Sequence, residues 1–476
     1  MVYLSDEWEC MYRILTIAIF CLAVFLRGLL CWENPPSNSF DDHFEPISLI
    51  MKNGHIPPKD ACFQCYHPPV FYYTSAKIGE TLKAFGMEET KVRKALQFLN
   101  FLYNVLTLAV VYFILRNMNL SSFSRIVAFT AVCILPRHIY MAAMHSNDNL
   151  CVLLVALCCY LVLIAIDRKL AWQTVVLVGI TITLATFVKY TAFVLFPTVL
   201  ISLILVPIYI SQVSLTRTTT AVLFSLLPAV FLLGIYMADN VRDYGKPLPW
   251  NDEMFNTSVI HPRDPAKISY VSFTPWHYII EPLIIPGQMH SFWTIIYSGA
   301  WFDIEPKFIQ VTDRSKIWWP QYFGWLSGVM PFPSLPSPLS ISTRLLAAGL
   351  LICGIVPLML VMAGLLWSVR FLIFCKNADS RIEAVKLNFF PILLVTNAAG
   401  VILLTLKAPV YSSIKASYFF NSLPAFAVFN AIGVTCIDNR RWIKIIIAAV
   451  YIALVLLVIL HVFQIVTAFS IIQGKY

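Results

Sequence analysis

The sequence predicts an all-α, polytopic membrane protein. The chain has 476 residues, of which 59% are hydrophobic and 12% are charged, whereas a soluble protein carries roughly 25% charged residues. The apolar residues form runs of the length that a membrane helix needs, about 20 residues each. The first run, from Ile14 to Leu30, continues without a cleavage site of the signal-peptide type, so we expect it to remain as a helix.

Eleven apolar runs predict about 11 transmembrane helices in one integral-membrane domain, residues 1–476. The runs cover approximately residues 12–32, 95–115, 125–143, 148–166, 170–188, 190–210, 219–238, 345–367, 387–406, 416–436 and 443–468. Two long connectors, residues 33–94 and 239–344, interrupt this pattern. Connectors longer than about 12–15 residues are usually functional, so we expect both to carry interfacial helices and the working surface.

Basic residues predict how the chain is oriented. Lys and Arg exceed Asp and Glu by 34 − 25 = 9, an excess that membrane proteins keep in cytoplasmic loops, and we expect no nucleic acid partner. The richer connectors hold Arg13, Arg116, Arg125, Arg168, Lys169, Arg217, Arg370, Lys376, Arg381, Lys386, Arg440, Arg441 and Lys444. This distribution predicts a cytoplasmic N-terminus and places both long connectors on the exoplasmic side.

An acidic cluster opens the first long connector. Asp41, Asp42, His43 and Glu45 precede a helical pattern that begins at Phe44. A carboxylate there can simply stabilise the helix N-terminus. It can also act as a general base at the membrane surface, if a proton lies within hydrogen-bond reach. A metal site is a third and weaker interpretation, because the spacing is short.

Two further polar motifs lie on the same predicted side. His67 precedes two prolines and Tyr72, which indicates either a rigid interfacial turn or a substrate contact. Asn147 and Asp148 open the fourth apolar run, where Asp is a natural N-cap. Each motif therefore has a structural and a functional interpretation.

Four cationic side chains lie near the predicted exoplasmic ends of the apolar runs: Arg27, Arg137, Lys189 and Lys415. Each can extend its charge towards the headgroups as an anchor. Lys189 and Arg27 can equally form a cationic seat for a phosphate, whereas Arg137, inside the third run, can also face a polar cavity. Cys62 and Cys65 lie in the first connector, and without a second pair they favour a disulfide or a redox-indifferent pair over zinc.

The order of these motifs resembles the GT-C glycosyltransferases, in the branch of protein O-mannosyltransferases and aminoarabinose-type lipid A transferases. That branch has an acid pair after the first span, matched by Asp41-Asp42, and then a His/Lys-Pro-Pro motif, matched by His67-Pro68-Pro69. The later matches are Asn147-Asp148, Lys189-Tyr190 and the set Lys415, Tyr418, Leu423 and Pro424. The resemblance covers roughly residues 10–435. The family pair is often Asp-Glu, and alignment on Phe40 favours Asp41 as the base.

The resemblance implies a GT-C-like bundle and an inverting transfer of a monosaccharide, mannose or similar. The donor would be a polyprenyl- or dolichyl-phosphate sugar, and the acceptor a hydroxyl of a protein, lipid or glycan on the exoplasmic side. Asp41 and Asp42 would be catalytic. Lys189, Arg137, Lys415 and Arg27 would bind the donor phosphate, and His67, Tyr72, Asp148, Asn147 and His43 would contact the substrate. Some relatives bind a divalent ion near this connector, so a metal stays open, and either a bacterial plasma membrane or the endoplasmic reticulum would suit the enzyme.

The main alternative is a polytopic transporter or lipid flippase without transferase activity. It predicts essential charges near the middle of the bilayer and short loops. A scaffold without activity is a second alternative, and it predicts that changes at Asp41, Asp42 and His67 are tolerated.

Overall fold

The computed structural model describes residues 2–36, 43–250, 265–284, 288–302, 340–374, 378–437 and 440–472. Within these ranges the chain is almost entirely helical, as predicted. Nine of the described helices are long and apolar enough to cross a membrane, and a bent pair makes a tenth candidate. The chain is therefore a multi-pass membrane protein, whereas the expected number of about 11 spans is not confirmed.

We number the helices in chain order. They are α1 (Val2–Glu33), α2 (Phe44–Asn53), α3 (Val70–Ala84), α4 (Glu89–Asn117), α5 (Ser122–Cys133), α6 (Pro136–Ala142), α7 (Asn147–Asp167), α8 (Trp172–Val188), α9 (Leu195–Tyr209), α10 (Leu215–Tyr244), α11 (Trp276–Ile280), α12 (Phe292–Trp301), α13 (Ile341–Phe374), α14 (Ala378–Lys407), α15 (Leu423–Cys436) and α16 (Arg441–Ile472). Two short strands, β1 (Ile268–Ser269) and β2 (His290–Ser291), pair in parallel. Turns of 3₁₀ helix span Tyr190–Val194, Tyr411–Ser413 and Ala416–Ser422.

The third predicted span, residues 125–143, is broken into α5 and α6. Their axes differ by 55°. Pro136 explains the break, because proline disfavours helical backbone at the residue before it, and Leu135 is extended (φ −62°, ψ 111°). The fifth predicted span corresponds to α8, which is apolar but only 17 residues long.

Arg27 of α1 satisfies the backbone at this break. Its guanidinium donates to the carbonyl of Cys133, the last residue of α5, at 2.7 Å. It also donates to Asn104 Oδ1 of α4 at 2.7 Å and to His138 Nδ1 of α6 at 2.9 Å. Asn104 in turn donates to the carbonyl of His138 at 3.0 Å. A broken helix is tolerated in a membrane when side chains bond the freed backbone groups in this way.

The described parts of both long connectors start at the same end of the bundle, where α1 ends and α4 begins. Lys94, near the start of α4, donates to the carbonyl of Asn34, just after α1, at 2.8 Å. Lys59 of the first connector donates its backbone N–H to the hydroxyl of Tyr244, the last residue of α10, at 3.0 Å. The second connector begins directly after α10. We call this the connector end and the other the opposite end.

The first connector contains the two short helices α2 and α3. α2 buries Phe44, Ile47 and Ile50 on one face, which gives it the one-sided pattern of an interfacial helix. The helix ends at Gly54, whose φ of 75° is the left-handed conformation that glycine adopts without strain. The first connector therefore carries a helix with the one-sided burial that an interfacial helix shows.

Helices α13 and α15 pack through glycine. A Cβ at Gly364 would lie 1.9 Å from the carbonyl oxygen of Phe429, and one at Gly433 would lie 2.0 Å from that of Leu360. Only glycine permits this approach, which is how small residues tighten membrane helix packing. This contact anchors the chain that leads from α14 to α15 along one side of the site.

Candidate active-site cavity

A cavity of about 390 Å³ opens at the connector end. Its wall brings together distant parts of the sequence: the first connector, the α6–α7 junction, the end of α8, the segment after α10 and the α14–α15 connection. The polar residues that line it include His43, Gln64, His67, Arg137, Ser146, Asp148, Lys189, Lys407, Ser412, Ser413, Lys415 and Ser417. Six residues that the sequence predicted as candidates therefore converge here, namely His43, His67, Arg137, Asp148, Lys189 and Lys415.

Lys189 and Asp148 form an ion pair inside the cavity. Lys189 Nζ lies 2.6 Å from Asp148 Oδ1, and the two side chains are 9% and 15% exposed. Asp148 is the second residue of α7, and Ser146 caps that helix by accepting from the backbone N–H of Asp148 at 3.2 Å. Lys189 follows the last residue of α8 in an extended conformation. The two helix ends therefore fix both charges.

Tyr418 lies between two of the cations. Lys189 Nζ is 5.6 Å from the centre of its ring, and Lys415 Nζ is 5.8 Å from it. A cation near an aromatic face is stabilised by the ring quadrupole. The late motif that the sequence matched is therefore adjacent to the Lys189 motif in space, although 226 residues separate the two lysines (415 − 189 = 226).

Lys407 and Trp250 were not among the predicted site residues. Lys407 is the last residue of α14, and its Nζ lies 4.7 Å from the centre of the Trp250 ring. Trp250 comes from the segment after α10. Both line the cavity. Lys407 lies eight residues before Lys415 in the same connection, but nothing in the sequence placed Trp250 beside it.

Arg137 enters the cavity because of the helix break. It is the second residue of α6 and is 2% exposed. A continuous helix over residues 125–143 would place Arg137 inside a span, whereas α6 starts a new direction at Pro136. The burial of Arg137 shows that it does not extend freely towards headgroups as a surface anchor would.

The histidines of the first connector form one side of the cavity. His43 Nδ1 lies 2.7 Å from the hydroxyl of Tyr72, and the His43 and His67 rings stack with their centres 5.7 Å apart. Tyr72 is behind the lining and orients His43. Asp41 and Asp42, which directly precede His43, lie outside the described residues.

The 54–69 segment that carries His67 is held to the bundle. Cys62 and Cys65 are bonded to each other. Lys59 is 7% exposed, donates to the carbonyl of Tyr66 at 3.1 Å and to the hydroxyl of Tyr236 in α10. Burial lowers the pKa of Lys59 to about 8. These contacts position Tyr66 and His67, which both line the cavity.

Residues 66–235 match the model of the family described as dolichyl-phosphate-mannose-protein mannosyltransferase. Two solved structures of the oligosaccharyltransferase of Archaeoglobus fulgidus resemble the whole chain. One, tethered with an acceptor peptide containing the NVT sequon, has a TM-score of 0.50 at 13% identity and covers 99% of this chain and 56% of that chain. The apo form has a TM-score of 0.51 at 12% identity and covers 96% and 56%. The chain has a GT-C fold.

The GT-C resemblance expected from the motifs is thus confirmed, with the family match limited to residues 66–235. That segment carries His67, Arg137, Asp148 and Lys189. ArnT from Cupriavidus metallidurans bound to undecaprenyl phosphate is also similar, with a TM-score of 0.31 at 13% identity, covering 90% of this chain and 78% of that chain. No curated protein matches the sequence. The chain spans about half the length of the archaeal enzyme, 56% of it.

Besides Tyr72, two other predicted site residues, Arg27 and Asn147, do not line the cavity. Arg27 is fully buried in the hydrogen-bond network at the α5–α6 break. Asn147 is also fully buried, and its side chain donates to the carbonyl of Val188 at 3.3 Å. Asn147 thereby joins the start of α7 to the end of α8. Neither position gives support to a direct contact with the donor.

A metal site would need several converging ligands. In the part of the chain that the structure describes, no three His, Cys, Asp or Glu side chains come together in that way. Asp41 and Asp42 lie outside that part, so their participation in such a site is not described.

Proposed function

We propose that this chain is an inverting glycosyltransferase that moves a monosaccharide from a polyprenyl- or dolichyl-phosphate donor to an acceptor hydroxyl. The observation that carries the proposal is the charge of the cavity. Among the described residues that line it, four are Lys or Arg and one is a carboxylate, Asp148. Such an excess of positive charge at one end of a membrane bundle suits a lipid-linked phosphate.

The cations suit the donor phosphate because its negative charge increases during the reaction. As the sugar leaves, the phosphodiester of the donor becomes a phosphate monoester and gains one negative charge. Preformed cations near that oxygen stabilise the developing charge more than the starting charge, which lowers the barrier. Lys189, Arg137 and Lys415 are proposed for this role, and the position of Lys407 on the same cavity adds a fourth candidate.

Asp41 is proposed as the general base. The acceptor hydroxyl gives its proton to Asp41 while its oxygen forms a bond to C1 of the sugar. The bond between C1 and the phosphate oxygen breaks on the opposite face, and its electron pair leaves with the lipid phosphate. Asp41 precedes His43 by two residues, and two residues span at most about 7 Å. Because His43 lines the cavity, the covalent chain supports a base at its wall.

Mannose is the proposed sugar, and a protein hydroxyl is the first acceptor to test. The description of the matching family supports both, since it names dolichyl-phosphate-mannose and protein. Aromatic residues also line the cavity, namely Phe63, Tyr66, Tyr190, Trp250 and Tyr418. They support a sugar substrate because the flat face of an aromatic side chain can stack on the face of a sugar ring. Lipid and glycan acceptors remain to be compared with the protein in the same assay.

The connector end is proposed to face the exoplasm, with the N-terminus in the cytoplasm. Arg13, Arg116, Arg125, Arg440 and Arg441 lie at the opposite end. Basic residues in short loops favour the cytoplasmic side, which supports this orientation.

The base assignment is tested by Asp41→Asn in the full chain, reconstituted with dolichyl-phosphate mannose and a Ser/Thr-containing peptide. We expect turnover to fall by about 10²- to 10⁴-fold, the usual contribution of a general base. The matched control is Asp60→Asn, the same change at an exposed position of the same connector, which should retain activity. Turnover at the wild-type rate in Asp41→Asn would remove Asp41 from this role.

A further inference from the structure

A second polar cavity, of about 240 Å³, lies at the opposite end between α1, α4 and α5. It is far from the first cavity. Arg116 lies 22 residues after Lys94 along α4, a rise of about 33 Å, and Lys94 contacts the connector end. That distance is close to the thickness of the hydrocarbon core, about 30 Å. The second cavity is therefore at the depth of the other headgroup layer.

Three arginines surround this cavity, one from each helix: Arg13, Arg116 and Arg125. Arg13 pairs with Glu9 at 3.5 Å. Within the described residues neither Arg116 nor Arg125 forms an ion pair with a carboxylate. Arg125 donates instead to Ser122 Oγ at 2.9 Å, and that hydroxyl is at the first turn of α5. Among the described residues that line this cavity there are three arginines and one carboxylate, Glu9, so the described lining is positively charged and suits an anion.

An aromatic wall continues from the arginines towards the membrane interior. The Tyr112 ring lies below the Arg116 guanidinium, at 6.0 Å from its carbon to the ring centre. Tyr112 packs on Phe129 at 5.4 Å between ring centres, and Phe129 stacks on Phe20 at 6.4 Å. A charged rim above an apolar wall matches an amphiphile better than a free ion. Arginine is also the side chain best suited to bidentate binding of phosphate.

We propose that this cavity binds the phosphate of an anionic phospholipid. The phosphate lies between Arg116 and Arg125, and an acyl chain leaves along Tyr112 and Phe129, two of the aromatic rings that line the cavity. Basic pockets between membrane helices bind anionic headgroups by this chemistry. The site is separate from the proposed transferase site and does not depend on that activity.

The test is native mass spectrometry of the full chain with phosphatidylglycerol, phosphatidylcholine and inorganic phosphate. We expect the wild-type chain to retain phosphatidylglycerol in preference to phosphatidylcholine. The double variant Arg116→Gln, Arg125→Gln should weaken that binding roughly 30-fold. Each basic residue near an anionic headgroup contributes about 1 kcal/mol, and a tenfold change in affinity corresponds to about 1.4 kcal/mol. Excess inorganic phosphate should leave the bound lipid in place.

The matched control is Arg440→Gln, Arg441→Gln, which removes the same charge from the same end. Both residues are exposed, and neither lines the cavity. A charge-preserving variant, Arg116→Lys, Arg125→Lys, should keep most of the lipid and so separates loss of charge from loss of fold. Equal lipid loss in the control, unchanged binding in the Gln variant or displacement of the lipid by phosphate would each overturn the proposal.

Discussion

The two ends of the bundle both carry cationic side chains, but in different surroundings. At the connector end Arg137 is buried, and the Lys189 side chain, which is 9% exposed, pairs with Asp148 across two helix ends. At the opposite end the Arg13 side chain is 75% exposed. A charge in water interacts weakly because it is screened, whereas a charge held in an enclosed site interacts strongly. The same residue type can therefore orient a chain at one end and support chemistry at the other.

The largest expected contrast between the two ends is in catalysis. Lys189→Met should lower kcat/KM for a lipid-phosphate sugar by about 10²- to 10³-fold, because a buried cation that stabilises developing charge is lost. Lys444→Met removes a lysine at the opposite end, where its Nζ lies 5.6 Å from the Phe123 ring centre. That control should keep kcat/KM close to the wild-type value. A similar fall in kcat/KM in both variants would contradict a catalytic role for Lys189 at the connector end.

Replacing Arg27 shows whether this buried residue stabilises the fold or binds the donor. Arg27→Met leaves the carbonyl of Cys133 and the side chain of Asn104 without their donor. We expect the free energy of unfolding to fall by about 3 kcal/mol, with no change in KM for the donor. Thermal unfolding and steady-state kinetics measure the two quantities. Arg242→Met, which removes an exposed ion pair, is the control and should cost less than about 1 kcal/mol.

A raised KM in Arg27→Met with unfolding unchanged would contradict this placement. It would return Arg27 to the donor-binding role that the sequence predicted.

The smallest effect concerns the packing under the cavity. His145, between α6 and α7, is buried against Phe44 and Phe71, with ring centres at 5.9 and 5.5 Å. Burial, with the nearby charges of His43 and Arg93, lowers its pKa to about 3. The folded state therefore keeps His145 neutral, while the unfolded chain binds a proton below about pH 6.5.

Stability from His145 is thus complete above pH 6.5 and decreases as the pH falls towards 3. At pH 5 the free energy of unfolding is lower by about 2 kcal/mol. This pH is roughly 1.5 units below the pKa of an unfolded histidine, and each unit corresponds to about 1.4 kcal/mol. Thermal unfolding at pH 7 and pH 5 measures it. His145→Phe should reduce the drop in unfolding temperature between these pH values, and His55→Phe, at an exposed position, should leave the drop unchanged. A drop of wild-type size in His145→Phe would show that another group titrates.

The sequence predicted where the helices lie better than where a helix breaks. Each of the eleven apolar runs corresponds to helix in the described residues, because hydropathy responds to length and composition. The break at Pro136 was not predicted, since a proline within an apolar run is compatible with either a kink or a new helix. That break is what brings Arg137 to the cavity.

The site was predicted in part for a related reason. A charged side chain at the end of a membrane helix, such as Lys189 or Asp148, must lie in polar surroundings at that end. The sequence could therefore predict that these residues lie near a polar site. Arg27 and Asn147 also lie near helix ends, but their direction around the helix axis depends on neighbours that the sequence does not reveal. Trp250 was missed because its contact with Lys407 joins segments 157 residues apart (407 − 250 = 157).

The central claim is bond cleavage at C1 of a lipid-linked sugar, and a donor labelled in its sugar tests it most directly. The full chain in lipid nanodiscs is incubated with dolichyl-phosphate-[¹³C]mannose and a Ser/Thr-containing peptide, and both products are quantified by mass spectrometry. We predict that dolichyl phosphate and ¹³C-mannosylated peptide appear in equal amounts. If the donor instead stays intact, while the same chain in proteoliposomes moves it across the bilayer, the protein is a lipid transporter and the transferase account is wrong.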